Sequence, residues 1–133
     1  MDAVLTAVLG GRARVTAVLA GDGGAEVRAV TGAAGEPLVV KTAPAGAAPD
    51  LLRAAHAQEA ARRAGVPVPR TVAARVVDGT QVHVTEHVPG SRWSDVHPSV
   101  ADATRRAVQD ALVDVLARLR GVAPTRVSAP RVA

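Results

Sequence analysis

Asp78-Gly79 stands between two runs of β-branched residues, TVAARVV at 71–77 and QVHVTEHV at 81–88. A two-residue turn of this kind needs positive φ at its central positions, which Asp and Gly tolerate, so the pair predicts a tight hairpin. That feature commits part of the chain to antiparallel sheet. Three more runs read the same way. RARVTAVL at 12–19 and AEVRAVT at 25–31 flank the turn Gly21-Asp22-Gly23-Gly24. A third strand, Leu38 to Thr42, follows the turn GAAGEP at 32–37.

Helical segments separate these runs. Residues 2–9 carry apolar positions at helical spacing and stop at Gly10-Gly11. Residues 50–64 contain no breaker, and Asp50 suits the positive end of a helix. Gly65 ends that helix, and the prolines of VPVPR force an extended segment. Residues 99–120 predict a long amphipathic helix with Val108, Leu112, Val115, Leu116 and Leu119 on one face. The tail APTRVSAPRVA reads as loose. The predicted class is α+β: helix, three strands, helix, two strands, long helix.

At 133 residues one domain is the default, with residues 1–90 as the sheet-and-helix unit and 91–133 as an exit segment, helix and tail. The chain has no cysteine, so disulfides and thiolate metal sites are excluded. No basic leader and no apolar run of spanning length is visible, which predicts a cytoplasmic protein without a membrane partner. The net charge of +4 invites a nucleic-acid reading. Its arginines are scattered, however, and Trp93 is the only aromatic, which leaves no stacking platform for bases. Nucleic acid is therefore not an expected partner.

Of the sixteen basic residues only Lys41 is lysine, and it ends the apolar run Leu38-Val39-Val40. Lysine and arginine differ where a compact charge must sit in a tight place. Three features then fall in order: the glycine turn with Gly21, Gly23 and Gly24, the strand ending in Lys41, and a helix carrying Glu59. Glycines let backbone N–H groups approach phosphate, a strand lysine neutralises it, and a helix acid can hold that lysine extended. Each piece has a plain alternative: an ordinary turn, a solvated strand end, and a surface acid paired with Arg62 or Arg63.

The segments LVVK at 38–41, GVPVPR at 65–70, VHVTEHVPG at 82–90 and ALVDVLARLRGVAP at 111–124 together resemble the aminoglycoside phosphotransferases and related small-molecule kinases. The resemblance covers roughly residues 15–124 and implies a protein-kinase-like N-lobe. That lobe would be a five-stranded antiparallel sheet with an inserted helix, followed by the first helix of a truncated C-lobe. It implies ATP as cofactor, with magnesium only if a complete second lobe were supplied. In the implied site Lys41 grips the α- and β-phosphates and Glu59 is its ion-pair partner. Thr85, Glu86 and His87 form the hinge, with the Thr85 C=O and His87 N–H facing the adenine edge. Leu19, Val27 and Val39 wall the base, and Val84 closes the back.

Departures matter as much. The glycine pattern continues into Glu26, which would repel phosphate if it pointed inward. The family's catalytic loop H-G-D-x-x-x-x-N has no counterpart here, and the sequence contains no Asn. The expectation is a truncated kinase homologue that binds nucleotide weakly at most. The alternative is a non-catalytic module that self-associates or docks a protein through helix 99–120. One decoy is set aside: His83-x-x-Glu86-His87 matches an inverted zinc-hydrolase pattern, but on a strand its histidines and Glu86 face opposite ways.

Overall fold

The computed structural model describes residues 2–21 and 23–122. Helix α1 (Asp2–Leu9) leads into β1 (Arg14–Leu19), β2 (Glu26–Thr31) and β3 (Pro37–Pro44). Helix α2 (Leu51–Arg63), β4 (Thr71–Val77) and β5 (Thr80–Glu86) follow, then α3 (Trp93–Val96), a 3-10 turn (His97–Ser99) and α4 (Asp102–Arg120). The strands form one antiparallel sheet in the order β1-β2-β3-β5-β4. The β4–β5 hairpin turns through Asp78 at φ 47° and Gly79 at φ 74°. Both edge strands carry a register shift, at Val15/Ala17 and at Thr71/Ala73. Such irregularities blunt an edge against stray strand pairing.

Strand alternation gives the sheet two different faces. On one, Val30, Leu38, Val40, Val82 and Val84 meet Leu5 of α1 in the buried apolar cluster. Each side chain so buried contributes on the order of 1.5–3 kcal/mol. On the other, α2 lays down Leu51, Ala55, Ala60 and Ala61, all buried. Alanine there lets the helix backbone come close to the strands. Asp50 caps α2 by accepting the Arg53 N–H at 3.0 Å. Beyond Arg63, Gly65 at φ 88° ends the helix path.

The interior strand β5, between β3 and the edge strand β4, is covered on both sides. Val82 and Val84 point into the α1 cluster, while Gln81, His83 and Thr85 lie buried on the α2 side. Gln81 is the joint there. Its Oε1 accepts the Leu51 N–H at 2.8 Å, and its Nε2 donates to the carbonyls of Pro44 at 2.9 Å and Pro49 at 3.0 Å. One side chain thus ties the end of β3 and the following loop to the start of α2.

One boundary changes. The long helix begins at Asp102, and α3 with its 3-10 turn occupies the segment before it. Pro98 starts that tight turn, and extended backbone at Val100 and Ala101 separates it from α4. None of the residues of α4 is buried, and Leu112, Val113, Leu116 and Leu119 are exposed. The reading of 123–133 as a loose tail lies outside the described residues.

Candidate functional site

One row of side chains crosses the α2 face of the sheet. Leu19 pairs with Val27, Val27 with Lys41, Lys41 with His83, and His83 with Ala74. Residues directly opposite on antiparallel strands project to the same side, about 4.5–5.5 Å apart at Cβ. The next row holds Ala29, Val39, Thr85 and Thr71. Lys41 therefore shares its face with Leu19, Val27, Val39 and Thr85.

Gly21, Val27 and Lys41 line one cavity of about 210 Å³, with Pro49 and Leu51 on its α2 side. Gly21 is there because nothing larger fits: a Cβ would lie 2.6 Å from the Ala25 carbonyl oxygen and 2.8 Å from Val27 Cγ2. Gly23 at φ 77° and Gly24 at φ 87° need glycine for a different reason, their left-handed backbone. Glu26 faces away from this cavity. It pairs with Thr42 in the ladder, one residue out of step with the Lys41 row, and its carboxylate meets Arg28 at 3.5 Å.

Three assignments are corrected. Glu59 does not pair with Lys41: its Oε1 accepts the Thr71 N–H at 2.9 Å and its Oε2 meets Arg62 Nε at 3.3 Å. Glu59 lies in the second half of α2, where the helix passes the start of β4, so the carboxylate reaches that strand. Among the described residues no carboxylate comes within 4.0 Å of the Lys41 ammonium. Val84 does not close the back of the cavity. It belongs to the α1 cluster, because alternation turns it opposite to His83 and Thr85. The His87 N–H is not free for a ligand, since it donates to the Pro37 carbonyl at 3.1 Å. Glu86 is also engaged, its carboxylate accepting the Arg70 N–H at 2.9 Å and its own N–H donating to the Arg70 carbonyl at 3.0 Å.

Sequence reasoning weighed His83 only within a zinc pattern and set it aside, and gave no role to this residue, which is 2 % exposed. Its Nε2 lies 3.0 Å from the Thr71 hydroxyl. Burial first, and then the charge of Lys41, lowers its pKa from the ordinary 6.5 to about 4, with Glu59 acting the other way. The Glu59 carboxyl is held below its ordinary value chiefly by the Thr71 N–H, against desolvation and with help from Arg62. The signal of His83 in the sequence is slight: a histidine between two valines of a strand-like run. Arg92 was also missed. It leaves the segment after β5 and donates to the Ala20 carbonyl at 2.9 Å, beside the glycine turn.

The arrangement offers a cation, a floor of apolar side chains and, at Gly21, a backbone wall without a Cβ, which suits a phosphate-bearing ligand with an apolar moiety. No helix among the described residues is long and apolar enough to cross a membrane. No curated protein matches the sequence. The profile of the phosphotransferase enzyme family, APH, matches residues 15–132, a stretch that contains the Lys41 row, the glycine turn and α2. On that match, and with a five-stranded antiparallel sheet carrying one inserted helix, the chain belongs to the phosphotransferase enzyme family, the aminoglycoside-phosphotransferase-like kinases.

Proposed function

We propose that this chain grips the polyphosphate of ATP with Lys41 beneath the Gly21–Gly24 bend. The family's inferred activity is transfer of the ATP γ-phosphate to a hydroxyl of a small molecule. The observation that carries the reading is the shared cavity of Gly21, Val27 and Lys41, with no carboxylate within 4.0 Å of the ammonium among the described residues. An ammonium that no described carboxylate pairs is open to an anion. Leu19, Val27 and Val39 supply an apolar surface for the base. With the His87 N–H spent inside the sheet, the adenine edge falls to Val88, whose N–H has no partner among the described residues.

Turnover is not proposed for these residues. Phosphoryl transfer takes most of its rate from metal clamping and positioning, and ligands for magnesium are expected of a complete second lobe. For such a role we propose a cytoplasmic setting, where ATP is supplied. The test is titration with ATP, ADP and adenosine, using the whole chain and Lys41→Ala. ATP affinity should fall at least tenfold, about the effect of one charge-assisted contact, while adenosine is nearly unaffected. Equal ATP affinity in both proteins removes Lys41 from the site.

A second reading rests on α4, whose exposed Leu112, Leu116 and Leu119 form an apolar stripe. We propose that this face associates with another protein surface, a second copy being the simplest. A concentration-independent monomer on sizing chromatography, with no binding of a hydrophobic dye, would refute it.

A further inference from the structure

We propose that His83 is a positioning residue for Lys41: a buried imidazole, fixed by the Thr71 hydroxyl, that walls the lysine stem where an ion-pair carboxylate was expected. The inference rests on the reading of Lys41 as the phosphate-gripping residue. Its evidence is geometric. Lys41 and His83 are direct partners across β3 and β5, on the face covered by α2. His83 cannot move aside, being 2 % exposed and bonded through Nε2 to Thr71 at 3.0 Å. Thr71 is anchored in turn, its backbone N–H donating to Glu59 at 2.9 Å. The acid of α2 therefore acts on the lysine through two intermediates.

This order of parts has a chemical consequence. A carboxylate in contact would hold the lysine but neutralise part of its charge. A neutral imidazole holds the aliphatic stem by packing and leaves the charge for the ligand. The charged groups facing His83 are Lys41 from β3 and Glu59 from α2. From β4 come the Thr71 hydroxyl and Ala74, neither of them charged. A proton placed on His83 would set two cations side by side in a covered site and push the ammonium away.

Lys41 is the only lysine, so the whole chain labelled with carbon-13 lysine gives one side-chain Cε resonance by which to test this. In the wild-type protein that signal should step as the pH passes about 4, where His83 gains its proton. His83→Gln, which keeps a polar group for Thr71 and cannot charge, should abolish the step and hold affinity for inorganic triphosphate within about twofold of wild type. His83→Ala, which removes the wall, should weaken triphosphate binding about tenfold. Should His83→Ala fail to fold, Thr71→Val breaks only the hydroxyl contact, and about threefold weakening is expected. A lysine signal without a step near pH 4 and unchanged in all variants, with triphosphate affinity equally unchanged, overturns the proposal. Failure of the nucleotide reading looks different: Lys41→Ala would bind triphosphate as wild type does, while the wild-type step persisted.

Discussion

Replacing Gln81 with methionine should cost this fold about 3–4 kcal/mol, a large share of the 5–15 kcal/mol typical of a small domain. The side chain is 4 % exposed, and methionine matches its length and volume, so packing changes little. What changes is hydrogen bonding. The Leu51 N–H loses its acceptor at 2.8 Å, and the carbonyls of Pro44 and Pro49 lose a donor at 2.9 and 3.0 Å. A buried group left without a partner costs on the order of 1–3 kcal/mol, with the Leu51 N–H toward the upper end and the two part-buried carbonyls near the lower. Three at roughly 1.5 kcal/mol, less about 1 kcal/mol for the apolar side chain gained, give the figure above. The longer contacts to Leu52 and Ala47, both 3.4 Å, add little. Urea unfolding followed by circular dichroism would read the change. With a slope of about 2 kcal/mol per molar, the midpoint should drop by about 1.5–2 M. Because Pro49 and Leu51 line the Lys41 cavity, triphosphate affinity should fall with it. A loss under about 1 kcal/mol would show that water or backbone relaxation satisfies these groups, and the role given to Gln81 would be wrong.

Gly21→Ala should destabilise by about 1–3 kcal/mol in thermal unfolding, because its new Cβ meets a backbone oxygen at 2.6 Å that cannot swing away. An unchanged midpoint would mean that the bend yields to the added carbon, and the steric role given to Gly21 would be wrong. Stability should also fall as the pH drops from about 6.5 toward 4. The folded His83 resists a proton that the unfolded chain accepts, so acid favours unfolding across that window and the contribution vanishes above it. A shift from 6.5 to about 4 corresponds to about 3 kcal/mol, and His83→Gln should flatten that part of the curve. Asp50→Ala should cost about 1 kcal/mol through loss of the Arg53 cap, measured by urea unfolding.

The elements that were legible depend on short-range chemistry. Asp78-Gly79 specifies its own turn, the β-branched runs specify strands, and Gly65 with the prolines after it ends α2, because each signal acts within a few residues. Most misreadings concern which residues meet across the chain. Glu59 was matched to Lys41 by order alone, yet its partner depends on how α2 is turned over β4 and β5, which no local pattern records. The segment before α4 hid a four-residue helix too short to show a period. β5 is the most instructive case. Its alternation of Gln81, His83 and Thr85 with Val82 and Val84 reads as a strand with one dry face and one wet face. Both faces are in fact covered, because α2 returns over the polar one. A polar side chain on a strand is ordinary when water solvates it and costly when a helix does not let water in, so at such a position it must find a protein partner. Gln81 finds the start of α2 and His83 finds Thr71, and those same two bonds flank Lys41. The polar face of β5 therefore serves the site by fixing its surroundings, and it could be recognised only once the pairing of β3 with β5 was known.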